Sequence, residues 1–250
     1  MTVARGATAT SGPDPVQSGQ AESRTLSQIL AIDHTVLLDH VLPEAPTGLR
    51  TEVAEAQSLG ILTRMQAIGT ALRTHLGVAA CTELTEHQSD TVRGWGWFAL
   101  TAGQNQATPV ELIELVLPAA DDPHFGVREW AWMTVRDRLA THLETSIPAL
   151  AALTGDPSER IRRFACETLR PRGVWAKHIT ALKAEPGLGD PILEPLRADP
   201  SRYVQDSVAN WINDAAKTRP DWATELGARW TAESQDTATA RIVRRGLRSL

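Results

Sequence analysis

The chain is poor in the residues and motifs that mark disulfide-bonded, metal-dependent or nucleotide-dependent proteins. It has 2 cysteines in 250 residues. Cys81 and Cys166 lie far apart and lack partners at metal-site spacing, so both are expected to be small core residues. The seven histidines are scattered, and no HExxH, Walker or GxGxxG pattern occurs. The sequence therefore predicts a protein with no metal site and no cofactor.

Long apolar runs are also missing. The N-terminus has no run of roughly 7 to 15 apolar residues of the kind a signal peptide needs, and nothing approaches the roughly 20 residues of a membrane span. Residues 1–23 are rich in Ala, Thr, Ser, Gly and Pro without apolar periodicity. They are therefore predicted to form a disordered N-terminal tail. The protein is expected to be cytoplasmic, with no membrane partner.

What the chain does contain is a repeated helical pattern. Alternation of β-branched and aromatic residues is scarce, whereas Ala, Leu, Arg and Glu are abundant, so the sequence predicts an all-α protein. The frame D-P-x-x-x-[VI]-[RQ] begins at Asp122, Asp156 and Asp199, 34 and 43 residues apart, each time after an apolar segment. In HEAT and armadillo proteins such repeats bury their apolar faces only by stacking. We predict a right-handed α-solenoid of HEAT-like (ARM-type) repeats over residues 24–250.

The charge distribution points to an anionic partner although the net charge is −5. Residues 1–123 carry 14 Asp or Glu against 6 Lys or Arg, whereas residues 124–250 carry 16 against 19. Positive charge is densest between Arg160 and Lys177 and near the C-terminus, where Arg241, Arg244, Arg245 and Arg248 follow one another. Such local stripes, rather than the overall charge, determine where a phosphate backbone docks.

The segment SERIRRFACETLR concentrates this chemistry on one predicted helix. Arg163, Glu167 and Arg170 stand at i, i+4 and i+7, so one carboxylate lies between two guanidiniums on one surface. Trp175 follows the stop signal Pro-Arg-Gly beside Lys177. Its ring is suited to stacking on a base or sugar, or equally to filling a gap between helix layers.

A second polar stripe lies on the helix predicted over residues 201–217. It consists of Asp206, Asn210, Asn213 and Lys217. Placing the copies in register gives three levels of one wall: Glu129, Arg163 and Asp206 at the first, Met133, Glu167 and Asn210 at the second, and Arg136, Arg170 and Asn213 at the third. The wall is either a binding surface of mixed charge or an ordinary solvated face.

Two segments, RRFACETLRPRGVWAK and DPSRYVQDSVANWINDAAKTRPD, resemble AlkC-type DNA alkylation-repair proteins, which belong to the AlkC/AlkD superfamily of HEAT-like repeat DNA glycosylases. The resemblance covers about residues 60–250. It implies a DNA-3-methyladenine-type glycosylase that excises N-alkylated (N3-methyl) purines from duplex DNA by hydrolysing the N-glycosidic bond. It also implies a DNA-binding domain over residues 24–250.

The resemblance also assigns residues. Glu167 matches the acidic residue of the first segment and is expected to be catalytic. The family's second Glu is replaced here by His124, and the repeat register makes Glu129 its best substitute. Matched positions and the basic stripes together give the expected DNA-binding residues: Arg163, Arg170, Arg172, Trp175, Lys177, Asn210, Asn213, Asp214, Lys217, Arg244 and Arg248.

Two further functions stay open from the sequence. The replacement at His124 fits a non-catalytic protein that binds damaged DNA, and a solenoid of this kind also serves as a protein-binding scaffold. A scaffold would favour an exposed apolar groove, which the sequence does not display clearly. The expected partner is double-stranded DNA with alkylated bases, bound by a monomer associated with the nucleoid.

Overall fold

The computed structural model describes residues 14–250, which fold into fourteen α-helices without a β-strand. The helices are α1 Leu26–Ala31, α2 His34–Val41, α3 Thr47–Ala56, α4 Ile61–Leu84, α5 Asp90–Ala102, α6 Pro109–Ala120, α7 Phe125–Ala140, α8 Leu143–Ala151, α9 Glu159–Glu167, α10 Thr180–Ala184, α11 Asp190–Leu193, α12 Arg202–Ala216, α13 Pro220–Glu233 and α14 Thr237–Gly246. A short 3₁₀ helix, Pro186–Gly189, precedes α11. No helix within residues 14–250 has the length and apolar character that crossing a bilayer requires.

The helices form two layers that share one continuous core. The front layer consists of α5, α7, α9, α12 and α14, each packed on the next, and the back layer consists of α4, α6, α8, α11 and α13. Four of the eight tryptophans, Trp95, Trp132, Trp211 and Trp230, are among the largest fully buried side chains. Each repeat buries its apolar face against its neighbours. The predicted all-α solenoid is therefore confirmed.

A single hydrogen-bonded turn precedes every front-layer helix. In each turn a side chain accepts a hydrogen bond from the backbone N–H two residues later, which fixes the entry into the helix. The five acceptors are His87 (3.0 Å), Asp122 (2.7 Å), Asp156 (2.8 Å), Asp199 (2.8 Å) and Ser234 (3.1 Å). The frame found three of these turns. The other two lack Asp-Pro but are built in the same way.

Two arginines at corresponding positions, Arg162 of the frame and Arg93 of the turn at His87, connect successive repeats. Arg162 donates to the carbonyls of Asp156 and Pro157 in its own turn, at 2.8 and 3.1 Å. It also makes a two-pronged ion pair with Asp199 of the next turn, at 2.7 and 3.1 Å. Arg93 repeats this pattern with Asp122, at 3.0 and 3.1 Å. These two-pronged ion pairs thus join the turns of neighbouring repeats.

The prediction of a disordered tail is wrong for residues 14–23, while residues 1–13 lie outside the described part. Ser23, which is 2% exposed, donates its N–H to the buried Asp90 carboxylate at 2.8 Å. Its carbonyl accepts a hydrogen bond from His124 Nε2 at 2.6 Å. Glu22 pairs with Arg93 at 2.5 Å. Composition did not reveal this order because the partners lie 67 to 101 residues away.

Candidate functional site

A chain of alternating charges crosses the front layer from α7 to α12. We call it the front-face network, and its members are Glu129, Arg163, Glu167, Arg170, Asp214 and Lys217. The successive nitrogen–oxygen distances are 2.7, 3.7, 2.6, 2.8 and 3.6 Å. The structure thus brings together side chains from three repeats that the sequence assigned to one site.

Glu167 lies in the middle of this network, between Arg163 and Arg170. It is 4% exposed and accepts hydrogen bonds from Arg170 Nη1 at 2.6 Å and Ser207 Oγ at 2.5 Å. Burial alone would raise the pKa of its carboxyl group, but Arg163, Arg170 and the Ser207 hydroxyl outweigh burial and lower that pKa below its usual value. Glu167 is therefore a permanent negative charge at neutral pH and a weak base.

The predicted carboxylate between two guanidiniums is present, but it is not built on one exposed helix face. Helix α9 ends at Glu167, with Thr168 as its C-cap, so Arg170 comes from the turn that follows. Arg170 is 8% exposed and uses Nε and Nη2 to bind Asp214 Oδ2, at 3.0 and 2.8 Å. This part of the network is buried rather than a solvated wall.

Glu129 is the accessible carboxylate of the front-face network. Its side chain is 29% exposed. One carboxylate oxygen accepts from Arg163 Nη2 at 2.7 Å, and the other accepts from Trp132 Nε1 at 2.9 Å. These two donors fix the plane of the carboxylate and leave lone pairs free for a ligand. The predicted register of Glu129 with Arg163 is confirmed by direct contact.

Tyr203 supports Arg163 and was missed by the sequence reading. The Arg163 guanidinium lies 4.6 Å from the centre of the Tyr203 ring, and Arg128 lies 5.2 Å from the same ring. Arg128 Nε also donates to the Tyr203 hydroxyl at 3.0 Å. Burial would lower the pKa of Arg163, but Glu167 and Glu129 raise it above its usual value. Apart from being the one tyrosine of the chain, Tyr203 carries no sequence signal for this role.

Arg136 does not belong to the exposed wall, contrary to the register prediction. It is 1% exposed and donates to the carbonyls of Thr168, Arg170 and Lys177, at 2.6, 2.7 and 3.2 Å. Burial lowers its pKa to about 10, so it stays protonated at neutral pH. A Cβ atom on Gly173 would lie 2.9 Å from the Arg136 guanidinium carbon. The three hydrogen bonds from Arg136, which we call the Arg136 clamp, therefore require glycine at position 173 in the loop that follows α9.

That loop presents Trp175 to solvent. The side chain is 43% exposed, and its backbone φ of 57° is the only positive value of a non-glycine residue within residues 14–250. The loop closes through Ile179 N–H and Pro171 O at 3.0 Å. Lys177 is exposed beside the ring, and Arg172 donates to the Asp214 carbonyl at 3.1 Å. The ring does not fill a gap between helix layers, which favours the stacking alternative.

The remaining predicted DNA-binding residues divide by exposure. Asn213 is 3% exposed and donates to Gly246 O at 3.3 Å and Ser249 Oγ at 2.8 Å, so its donors hold the chain's end rather than face outward. Asp214 is equally buried, at 5%. Both therefore have structural roles here. Three cationic members of the set stay exposed: Lys217, Arg244 and Arg248, the last donating to Asn210 Oδ1 at 2.9 Å.

His124, at the position of the family's second Glu, is the N-cap of α7. Its Nδ1 accepts from Gly126 N–H at 3.1 Å and its Nε2 donates to Ser23 O at 2.6 Å. In this pattern Nδ1 is the acceptor and Nε2 is the donor. The ring is 8% exposed beneath residues 14–24 and is not part of the front-face network.

Comparisons with known proteins agree with this architecture. No family model matches the chain. Over 96 residues, 38% of this chain and 27% of its relative, the sequence is 43% identical to the uncharacterized protein YhaZ of Bacillus subtilis (strain 168). The solved structure of Pseudomonas fluorescens alkylpurine DNA glycosylase AlkC, bound to DNA containing an abasic site analog, matches with a TM-score of 0.66 and 24% identity. That match covers 85% of this chain and 59% of AlkC. The chain thus spans less than two thirds of either protein, and the expected AlkC-type fold is confirmed.

Proposed function

We propose that this protein is a DNA-repair glycosylase that releases N-alkylated purines, of the N3-methyl type, from duplex DNA. The observation that carries the proposal is Glu129, a half-buried carboxylate held by Trp132 and Arg163 on the front layer. The AlkC-type fold supports it, because the matching structure is that of an alkylpurine DNA glycosylase bound to DNA. The sequence segments that resemble the family include Arg163 and Glu167 of the same network.

The residue types suit the chemistry of a cationic leaving group. An N3-alkylated purine already carries positive charge, so the bond from C1′ to the base breaks without prior protonation and the base leaves neutral. The sugar then develops positive charge, which a nearby carboxylate stabilises. A water adds to C1′ and gives up one proton. Glu129 has the exposure to orient that water and accept the proton.

Glu167 serves this reaction as a positioning residue. It is buried beneath the network and holds Arg163 and Arg170 on its two sides. Arg163 in turn orients Glu129. A carboxylate whose pKa lies below the usual range is a poor proton acceptor, so Glu167 contributes a fixed charge. This differs from the sequence expectation, in which Glu167 was the principal catalytic group.

The exposed cations and the exposed ring are the proposed DNA contacts. Lys177, Lys217, Arg244 and Arg248 would meet phosphates, and Trp175 would stack against a base or sugar. Asn210 would contribute through Arg248, which it orients. We expect a monomer that acts on alkylated DNA in the cytoplasm, in association with the nucleoid.

A second candidate is a protein that binds alkylated DNA without cleaving it. The observation that favours it is His124, which stands where the family has a glutamate and is occupied by hydrogen bonds in a buried position. The charge of Glu167 is also balanced by two guanidiniums, which weakens its field at the surface. In the glycosylase proposal, by contrast, the reaction depends on Glu129 alone.

The deciding experiment is the release of free base from methylated duplex DNA, with 3-methyladenine and 7-methylguanine analysed separately. Glu129→Gln is assayed beside the wild type. Glu144→Gln is the matched control, because Glu144 is on the back layer and its side chain is 73% exposed. Release by wild type and control but not by Glu129→Gln supports the glycosylase. Binding of methylated DNA without release supports the second candidate, and the absence of both refutes the two.

A further inference from the structure

A groove lined by arginines lies at the last repeat junction, between α12 and α14. It has a volume of about 690 Å³. Its walls are the turn before α12, the first turn of α12, and the segment from Asp236 to Arg244 that begins α14. Three guanidiniums line it, those of Arg202, Arg241 and Arg244, against one carboxylate, that of Asp236. The sequence reading singled out Arg244 alone among these as a DNA-binding residue.

The first repeat junction provides an internal comparison. There a groove of about 540 Å³ lies between the turn before α5 and the turn before α7. It is lined by four carboxylates and one guanidinium: Glu22, Glu86, Asp121, Asp122 and Arg93. The grooves at these two junctions thus carry opposite charge, and of the two the last one suits an anion.

The last junction lacks the ion pair that joins neighbouring turns at two other junctions, so no such pair occupies the arginines of its groove. Arg93 pairs with Asp122, and Arg162 pairs with Asp199. At the corresponding positions of the last junction the chain has Gln205 and Ser234. Gln205 Nε2 still donates to the carbonyl of its own turn, at 2.8 Å. No arginine of the frame is therefore bound to a carboxylate in this groove.

The groove's own guanidiniums are largely free for a ligand. Arg202 and Arg244 are exposed and form no ion pair with any residue from 14 to 250. Arg241 donates through Nη2 to Asp206 at 2.7 Å and through Nη1 to Gln205 at 3.2 Å. The Asp236 carboxylate accepts a hydrogen bond from Ala238 N–H at 2.7 Å as the cap of α14, so its charge is partly offset by the helix.

We infer that this groove binds a backbone phosphate of DNA, on duplex that extends beyond the segment held by the front-face network. The inference rests on the proposed binding of duplex DNA. Arg241 connects the two regions, because its partner Asp206 stands level with Glu129 and Arg163 in the repeat register. Guanidinium groups match the geometry of phosphate oxygens, and two of the three have no competing carboxylate.

The test compares Arg202→Ala/Arg244→Ala with the wild type on duplexes of about 10 and about 20 base pairs, one and two helical turns. Affinity is measured as a function of salt concentration. The control is Arg219→Ala/Arg229→Ala, which removes the same charge from the edge and body of the back-layer helix α13. Each phosphate contact contributes about 0.9 to the logarithmic salt slope. We expect the slope of the groove variant to fall by about 1 to 2 units on the longer duplex.

The control variant should keep the wild-type slope on both duplexes. A groove variant with the wild-type slope on the longer duplex, or one matched by the control, would overturn the inference. Base release from the shorter duplex separates this failure from that of the proposed function. If release persists while the slope is unchanged, the glycosylase stands and the groove proposal falls. If the wild type does not bind duplex DNA, both fall.

Discussion

Replacing Glu129 or Glu167 by glutamine should show which carboxylate of the front-face network takes part in the reaction and which one stabilises the fold. Glu167 is 4% exposed and lies between Arg163 and Arg170. Removing one member of such a buried pair leaves uncompensated charge and costs about 3 to 5 kcal/mol. For a chain of 150 to 250 residues each kcal/mol shifts Tm by about 2 to 4 °C. Glu167→Gln should therefore melt roughly 10 °C below the wild type.

Glu129→Gln should have a small effect on Tm but a large effect on base release. Glu129 is the more exposed partner of its ion pair, and Arg163 keeps its contact with Glu167 after the replacement, so Tm should fall by less than it does for Glu167→Gln. Glutamine keeps the shape of the side chain but lacks the charge that stabilises the sugar cation. Base release should slow at least tenfold, equivalent to about 1.4 kcal/mol of barrier. The reaction is measured well below both melting temperatures.

The pH dependence gives an independent control. The pKa of Glu167 is lower in the folded state than in the unfolded chain, so the stability it contributes is complete above about pH 4.3 and is lost as pH falls through the folded value. The Tm difference between wild type and Glu167→Gln should thus be equal at about pH 6 and pH 8. A Glu167→Gln variant as stable as the wild type, or a Glu129→Gln variant with undiminished release, would refute the respective assignment.

Three other perturbations test separate parts of the structure. Burial and, less strongly, Arg64 lower the pKa of His34 to about 3, so in urea titrations the free energy of unfolding should fall by up to about 1.4 kcal/mol for each pH unit below about pH 6.5. His34→Gln should flatten this slope, and equal slopes for variant and wild type would contradict the burial argument. Arg136→Leu removes the donor to three carbonyls of the loop after α9, so trypsin should cut after Lys177 roughly tenfold faster in a timed digest. An unchanged rate would mean that this loop keeps its structure without the hydrogen bonds from Arg136. Trp175→Ala should leave Tm near that of the wild type but weaken binding of methylated duplex roughly tenfold in fluorescence anisotropy, because stacking contributes about 1 to 3 kcal/mol. Unchanged affinity would exclude the Trp175 ring from the DNA interface.

The solenoid was predictable because its signal is local. The Asp-Pro frame and its apolar spacing identified three turns, each of which precedes a front-layer helix. The turns at His87 and Ser234 escaped detection because the structure requires an acceptor atom at that place and not a particular residue. A pattern defined by residue letters finds only the copies that use the same letters.

The site was predictable only in part. Helical spacing shows which side chains share one face of a helix, but it does not show which other segments of the chain cover that face. Glu129 and Arg163 were correctly placed together, because their direct contact joins neighbouring helices of the front layer. Arg136 and Asn213 were predicted on the same face, yet the loop after α9 covers the first and the end of the chain covers the second. These coverings come from segments whose position depends on the tertiary fold.

The contact between Glu129 and Arg163 joins two different repeats, α7 and α9. A solenoid changes shape by small rotations between neighbouring repeats, each of which contacts only the next. A rotation at this junction therefore moves the carboxylate relative to the guanidinium that orients it. Under the proposed function, a DNA duplex that alters the curvature of the solenoid on binding would therefore also change the position of Glu129 relative to Arg163.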